Sequence, residues 1–248
     1  MRRIYSIGDI HGNYSTLMAL WQKLIEEGPM DLYQDQIIFL GDYEDRGLDT
    51  KKVIQQLIDW QKEYNKSGEQ HVVCLKGNHT DMLLDALNPL HPIYGDSEMW
   101  LDQGGDETLK SYNPKLAKIS KKAFRKAREN PELYLDKEHV EWLRNLPLLL
   151  VNEDFAFVHG GLPSEPIEVI LQKLAQNDSQ TIHDLLWLRN SFIYSSFDWG
   201  RRIIFAHTIT DEPTVQVNKV GINTLFSKTD KLTAIELPSC RFFYQNRL

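Results

Sequence analysis

Five short strand-like runs in this chain each stop at a loop carrying glycine, aspartate, asparagine or histidine, and that recurrence restricts its fold more than any other feature. Ile4-Tyr5-Ser6-Ile7 gives way to Gly8-Asp9-Ile10-His11-Gly12, and Ile37-Leu40 to Gly41-Asp42-Tyr43-Glu44-Asp45-Arg46-Gly47. Val72-Leu75 leads into Gly77-Asn78-His79, Phe155-Val158 into His159-Gly160-Gly161, and Ile203-Ala206 into His207-Thr208. Apolar runs this short, bounded by such residues, read as buried strands. Between the first three lie helical patterns, and strands alternating with helices predict parallel pairing in a helix-covered α/β sheet. In open α/β sheets the loops at the carboxyl ends of strands converge on one crevice. Glycines beside most of these loops let the backbone turn tightly and approach a bound group.

The helical patterns can be placed. One starts at a cap, Asn13 or Ser15, carries Leu17, Leu20, Trp21, Leu24 and Ile25 on one side, and ends at Gly28-Pro29. Residues 50–64 place Val53, Ile54, Leu57, Ile58 and Trp60 on one face, and a third helix opens near Thr80 with Met82, Leu83, Leu84 and Leu87. The segment from about 95 to 145 reads as helical and polar, a small cap or insertion beside the sheet. Further strands are expected at Leu148-Val151, Thr214-Val217 and Leu232-Leu237, with Asn152-Glu153-Asp154 as a hairpin turn. The 248 residues, 42% hydrophobic and 25% charged, suit one folded domain over residues 1–248 rather than a disordered chain.

A net charge of −7 argues against a nucleic-acid binder. The basic stretch Lys118 to Arg128 reads as a solvated helix face, with a docking patch for an anionic partner as the sharper alternative. Cys74 lies in an apolar run and Cys240 far from it, so neither a disulfide framework nor a thiolate metal site is expected. No apolar run is long enough to span a membrane, and no export signal is expected ahead of the first strand. Glycosylation-like triplets at Asn13, Asn65 and Asn78 are then chance matches, and a reducing cytoplasm is the expected location.

Taken singly, Asp42 reads as a turn residue and Asn78 as a helix cap. Taken together, the loops offer more oxygen and imidazole ligands than one ion needs, with no thiolate, which suits Mn, Fe or Zn. Two ions sharing a bridging carboxylate, about 3.5–4 Å apart, can clamp an in-line phosphoryl displacement and lower the pKa of a shared water.

The motifs GDxHG at 8–12, GDxxDRG at 41–47, GNH at 77–79, HGG at 159–161 and the late His207, in that order, resemble the calcineurin-like metallophosphoesterases. The likeness is nearest to their phosphoprotein phosphatase branch, in its compact bacterial serine/threonine-phosphatase form. It implies an αββα sandwich, two central mixed sheets flanked by helices. It also implies two metal ions, most suitably Mn2+ with Fe or Zn as alternatives. Asp9 and His11 would bind the first ion, Asp42 would bridge, and Asn78, His159 and His207 would bind the second. Arg46, and Arg189 in Leu185-Leu186-Trp187-Leu188-Arg189, would bind phosphate through paired hydrogen bonds. His79 would protonate the leaving alkoxide, its ring held by Asp45. His71, His91, His139 and His183 match no motif and are expected at the surface or in packing.

The implied activity is dimetal phosphomonoester hydrolysis by in-line attack of a metal-bridging hydroxide on phosphoserine, phosphothreonine or phosphotyrosine in proteins, or on a small phosphate ester. Three residues depart from the family pattern: Glu44 where valine is usual, Thr80 where glutamate follows the GNH histidine, and Ala206 where many members have glycine. No ligand position is lost, but these departures bear on substrate class. Gly104-Gly105-Asp106-Glu107-Thr108, continuing to Tyr112, resembles a GGxxTLxSY element near the substrate side of compact bacterial members; a glycine turn before a capped helix is the plain alternative. Dinucleoside polyphosphate hydrolysis, as of diadenosine tetraphosphate, is the nearest rival activity. Asp45 argues mildly against it, because that branch often replaces this residue. A non-catalytic metal-binding scaffold is a more distant reading.

Overall fold

A computed structural model of the chain describes residues 2–66, 68–88, 98–115 and 134–248. The basic stretch 118–128, His91 and parts of the 95–145 segment lie outside the described residues. The first sheet contains β1 (Ile4–Ile7), β2 (Gln36–Phe39), β3 (Val72–Cys74), β9 (Lys231–Leu237) and β10 (Arg241–Asn246), in the order β10-β9-β1-β2-β3. The second contains β4 (Leu149–Val151), β5 (Phe155–Val158), β6 (Arg202–Phe205), β7 (Thr214–Val215) and β8 (Lys219–Gly221), in the order β4-β5-β6-β8-β7. Both are mixed. β1, β2 and β3 pair in parallel, as do β5, β6 and β8, while β9, β10, β4 and β7 run antiparallel to their neighbours.

The two-residue period of the strands explains the layering. Tyr5, Ile7, Ile37, Phe39, Val72 and Cys74 face one way, into a core shared with helices. The alternate residues Ile4, Ile38, Leu40, Val73 and Leu75 face the other way and meet Phe157, Ile204, Ala206 and Val220 of the second sheet. Ala156, Val158, Ile203 and Phe205 point outward again, under a second helical layer. Both faces of each central strand are buried, which is why these runs are almost continuously apolar. The result is the helix–sheet–sheet–helix sandwich expected.

Helices α1 (Tyr14–Glu26), α2 (Thr50–Tyr64) and α3 (Asn78–Ala86) cover the first sheet. The short α4 (Glu98–Trp100), a π-helical turn at Leu101–Gly105, α5 (Asp106–Tyr112) and α6 (Lys137–Arg144) follow. Trp100, Leu101, Leu109, Val140 and Leu143 belong to the same core as α1 and α2, so this part of the 95–145 segment packs into the main body. Helices α7 (Ile167–Ala175), α8 (Ser179–Trp187) and α9 (Asn190–Ile193) cover the second sheet.

Some expectations need correction. Asn13 is the first cap of α1, but its amide donates backward to the Ile10 and His11 carbonyls and makes no cap bond. Ile25 is 37% exposed, so the buried stripe of α1 stops at Leu24. The strand expected at 214–217 is only Thr214–Val215, and Val217 is 98% exposed in the turn before β8. As expected of histidines outside the motifs, His71 and His139 are buried in packing and the His183 side chain is exposed.

Candidate metal centre

The strand-end loops are knitted to each other across the seam between the sheets. Ile10 and His11 donate their backbone N–H groups to the Asp42 carbonyl at 3.0 and 2.8 Å. His207 N–H donates to Asp9 Oδ1 at 3.4 Å, tying the end of β6 to the end of β1. The His159 ring, from the end of β5, reaches the Leu40 carbonyl beside β2 at 2.9 Å. Asp9, His11, Asp42, Asn78, His159 and His207, which the family resemblance implies as ligands, are all buried, at the strand-end loops.

The backbone is strained to achieve this. Nine non-glycine residues among those described have φ in the left-handed region, and five of them are His11, Asp42, Asp45, Arg46 and His207. Such conformations cost about 1–3 kcal/mol each and persist only where the surroundings enforce them. Gly41, just before Asp42, has φ 114°, and a Cβ there would sit 2.8 Å from both Gly77 N and His159 Nδ1. Only glycine lets the β2 loop pass between the β3 loop and the His159 ring.

The donors converge in two groups. One nitrogen each from His11 and His79 and an oxygen of Asp42 lie within 4.8 Å of one another; the same holds for Asp42, His159 and His207. Asp42 belongs to both. Asp42 Oδ2 is 3.6 Å from His11 Nε2 and 3.4 Å from His159 Nε2, and the latter is 2.8 Å from Asn78 Oδ1. Asp9 flanks the pair, Oδ2 at 4.0 Å from His11 Nε2 and Oδ1 at 3.8 Å from His159 Nδ1. His11 Nδ1–H donates to the Glu44 carbonyl at 2.8 Å, which leaves its Nε2 lone pair turned inward, while His159 Nδ1–H donates to the Leu40 carbonyl and its Nε2 faces the Asn78 and Asp42 oxygens. His207 Nε2 is buried with no hydrogen-bond partner. A buried ring nitrogen without a partner, beside carboxylate and amide oxygens, is what a cation site requires, so the donor set fits two divalent ions.

The buried groups of the cluster shift one another's pKa values. Burial and the neighbouring Asp42 push the Asp9 carboxyl up to about 7, while the adjoining imidazoles hold Asp42 well below its usual range despite burial. Burial, reinforced by His159 and Arg189, pushes His207 down to about 2; burial also holds His11 well below its usual value. Burial lowers His159, but Asp42 outweighs it and the ring rises to about 9.

Beside the cluster, His79 Nδ1 lies 2.6 Å from Asp45 Oδ2, and Arg46 Nη2 lies 3.2 Å from His79 Nε2. Burial lowers His79, but Asp42 and Asp45 outweigh it and raise the ring above its ordinary value. Arg46 also sits over the Phe226 ring at 5.5 Å. Arg189 is exposed at the rim of the second sheet, its Nη1 3.4 Å from the His207 carbonyl. A groove of about 200 Å3, lined by Gly12, Asn13, Arg46, Gly47, Leu48 and Arg247 among others, adjoins Arg46. A cavity of about 840 Å3 lies at the other ends of β5 and β6, beside Asp154 and Arg202, away from the cluster.

Sequence reasoning missed Asn223, whose amide makes a short hydrogen bond to Asp9 Oδ2. Asn223 follows Ile222 just after β8, so it obeys the same strand-end rule; Lys219 and Gly221 interrupt the apolar pattern, and no strand was expected there. The unusual Glu44 carboxyl and Thr80 hydroxyl are both buried and face each other. Burial beside Asp45 and Asp42 pushes Glu44 up to about 8.

The sequence pattern of the calcineurin-like phosphoesterase family matches residues 2–214. The serine/threonine-protein phosphatase 1 of Salmonella typhimurium is 33% identical over 105 residues, 42% of this chain and 40% of that protein. The chain thus spans well under half the length of that relative. The bis(5'-nucleosyl)-tetraphosphatase PrpE (asymmetrical) of Oceanobacillus iheyensis is 25% identical over 258 aligned positions, covering 97% of this chain and 90% of that protein. In three dimensions, a protein serine/threonine phosphatase from Saccharomyces cerevisiae superposes with a TM-score of 0.61 at 18% identity, over 100% of this chain and 80% of that one.

Proposed function

This chain belongs to the calcineurin-like phosphoesterase family, and from that premise we propose that it is a dimetal phosphomonoesterase acting on phosphoserine and phosphothreonine in proteins, with phosphotyrosine and small phosphate esters as further substrates. The observation that carries this reading is Asp42, common to both donor groups at the seam of the sheets. Asp9 and His11 would hold one ion, Asn78, His159 and His207 the other, and Asp42 both; manganese suits this oxygen and imidazole set. When bound, two such ions supply a water nucleophile near neutral pH and clamp the oxygens of an in-line displacement.

The chain's own residues do the rest. Arg46 and Arg189 grip the phosphate oxygens with planar guanidinium forks. Without substrate, Arg46 donates to His79 Nε2; once Arg46 turns to phosphate, that nitrogen is released to carry a proton. Asp45 accepts from Nδ1–H and steadies the imidazolium, and His79 Nε2–H passes its proton to the departing alkoxide oxygen. A seryl or threonyl alkoxide is strongly basic and needs that proton. The leaving group of a phosphoanhydride is weakly basic and does not. The intact Asp45–His79 pair therefore favours the monoester reading. The free thiols of Cys74 and Cys240 accord with a reducing, cytoplasmic setting.

The near full-length likeness to a bis(5'-nucleosyl)-tetraphosphatase supports a second reading, dinucleoside polyphosphate hydrolysis at the same centre. One manganese-loaded preparation, tested on phosphopeptides, nucleoside monophosphates and diadenosine tetraphosphate, separates the two. Phosphate release from phosphopeptides is expected. Fast cleavage of the dinucleotide with poor phosphopeptide turnover would transfer the assignment, and inactivity across several divalent metals would favour a scaffold.

A further inference from the structure

The Gly104-Gly105 element, which neither the metal cluster nor the arginines account for, packs directly beneath the Asp45–His79 pair. Asp45 Oδ2 faces His79 Nδ1 at 2.6 Å. Trp100 Nε1–H, from the last residue of α4, is 3.0 Å from both Asp45 oxygens. Thr108 Oγ1, in the first turn of α5, lies 2.7 Å from Asp45 Oδ1 and accepts the Asp45 backbone N–H at 2.8 Å. An ionised carboxylate can only accept, so the Thr108 hydroxyl proton points to Asp45. Thr50 Oγ1, 3.3 Å from Thr108 Oγ1, must then be the donor in that contact. Trp100, Thr108, Thr50 and Asp45 are all buried, so these hydrogen bonds have no water to compete with.

The backbone makes the clamp possible. Gly104 has φ 103° and its carbonyl accepts Arg46 N–H at 3.3 Å; a Cβ at this position would lie 2.6 Å from Arg46 N. A Cβ on Gly105 would lie 2.4 Å from the Trp100 ring. The two glycines thus let the π-helical turn touch the Arg46 backbone and leave room for the indole whose N–H reaches Asp45. Asp45 and Arg46 themselves have left-handed φ of 70° and 65°. That strained conformation needs support on this side, and the Trp100–Thr108 segment provides it.

We propose that Trp100 and Thr108 are positioning residues for proton delivery: they fix both oxygens of Asp45, so that Asp45 in turn fixes the His79 ring toward the leaving-group oxygen. The inference rests on the reading of His79 as the proton donor. Trp100→Phe keeps the apolar bulk and removes the N–H; Thr108→Val removes only the hydroxyl; Thr108→Ser keeps it. Each is compared with the wild type and with His79→Asn on 4-nitrophenyl phosphate, whose leaving group needs no protonation, and on a phosphoserine peptide, whose leaving group does. Trp100→Phe and Thr108→Val are expected to lower kcat on the phosphopeptide about ten-fold more than on the aryl ester. Thr108→Ser is expected to keep the wild-type ratio.

A second readout does not depend on turnover. In the metal-free, 15N-histidine-labelled protein, a downfield Nδ1–H resonance absent from His79→Asn is expected, and both clamp variants should shift or broaden it. Absence of that resonance from the wild type, or an unchanged resonance with equal kcat losses on both substrates, overturns the clamp. Equal losses for His79→Asn on both substrates instead overturn the proton-donor reading; the resonance then decides whether the clamp holds the ring.

Discussion

At the scale of single residues, the centre is built from side chains whose neighbours in sequence are ordinary but whose backbone is not. His11, Asp42 and His207 all sit at positive φ, and each turns inward because its loop leaves the strand sharply. Asp42 carries the most weight, since its oxygens face donors from both sheets and also accept His79 N–H at 3.0 Å. Asp42→Asn is expected to reduce metal affinity more than about 100-fold and nearly abolish turnover, because supporting partners of ligands alone cost 10–100-fold. Metal analysis after equilibrium dialysis, run beside a phosphatase assay, checks this; wild-type metal content at a wild-type rate would remove Asp42 from the centre. His79→Asn is expected to slow alkyl phosphate hydrolysis by about 100-fold and aryl phosphate hydrolysis far less. Asp9, His11, Asp42, Asn78, His159 and His207 were legible as candidates because their loops follow apolar runs and match the motifs of the family the sequence resembles. Asn223 and Trp100 were not, and Thr108 was legible only within the Gly104–Tyr112 element, not as a partner of Asp45, because that role depends on which side chain lies opposite.

At the scale of elements, the strands of both central layers were legible because two-residue alternation with both faces apolar leaves little else for them to be. β8 and β10 were not. Lys219 and Gly221 interrupt the apolar pattern of β8, yet Lys219 is fully buried, its Nζ bonded to the Ser195 carbonyl at 2.6 Å and lying over Phe192 and Trp199. β10 lies at the edge of its sheet, where only Phe243 is buried, so its apolar signal is weak. Helix α6 is pinned to α2 and α5 through His139. Its Nδ1 is 2.6 Å from the Tyr112 hydroxyl and its Nε2 is 3.1 Å from Gln55 Oε1. The Gln55 amide nitrogen already donates to Asp59, so Gln55 Oε1 accepts from the ring's Nε2–H. Burial, opposed by Asp136 and helped by Lys51, holds its pKa below 6.5. The unfolded chain therefore binds this proton more readily than the folded one. The stabilisation is complete above about pH 6.5 and is lost as pH falls from there toward the depressed folded value. Urea unfolding between pH 5 and 8 should show this slope, and His139→Gln should flatten it; an unchanged slope would place the acid sensitivity elsewhere.

At the scale of the whole molecule, the candidate ligands staple two sheets that otherwise meet through apolar side chains such as Ile38, Leu40, Phe157 and Ile204. Asp9, Asp42 and Asn78 come from the first sheet, His159 and His207 from the second. Ions held between them bind the folded chain and not the unfolded one. Manganese at 100 times its Kd should then add about 2.7 kcal/mol to the unfolding free energy and raise Tm by several degrees. Calorimetry with manganese and with a chelator checks this, and Asp42→Asn should lose most of the gain. Equal Tm values with and without metal would show that the crevice holds no ion.

The sequence by itself determined the layers and the chemistry of the strand ends. Both are local: alternation decides which face of a strand is buried, and a glycine beside a carboxylate or imidazole marks where a strand must stop. Only the tertiary structure decided which loops meet across the seam, that Asp42 faces both donor groups, and that the Trp100–Thr108 segment closes beneath Asp45. Those contacts join residues up to 214 positions apart, as Asn223 to Asp9. They depend on how two twisted sheets stack, a property of the packed core that no short stretch of chain encodes.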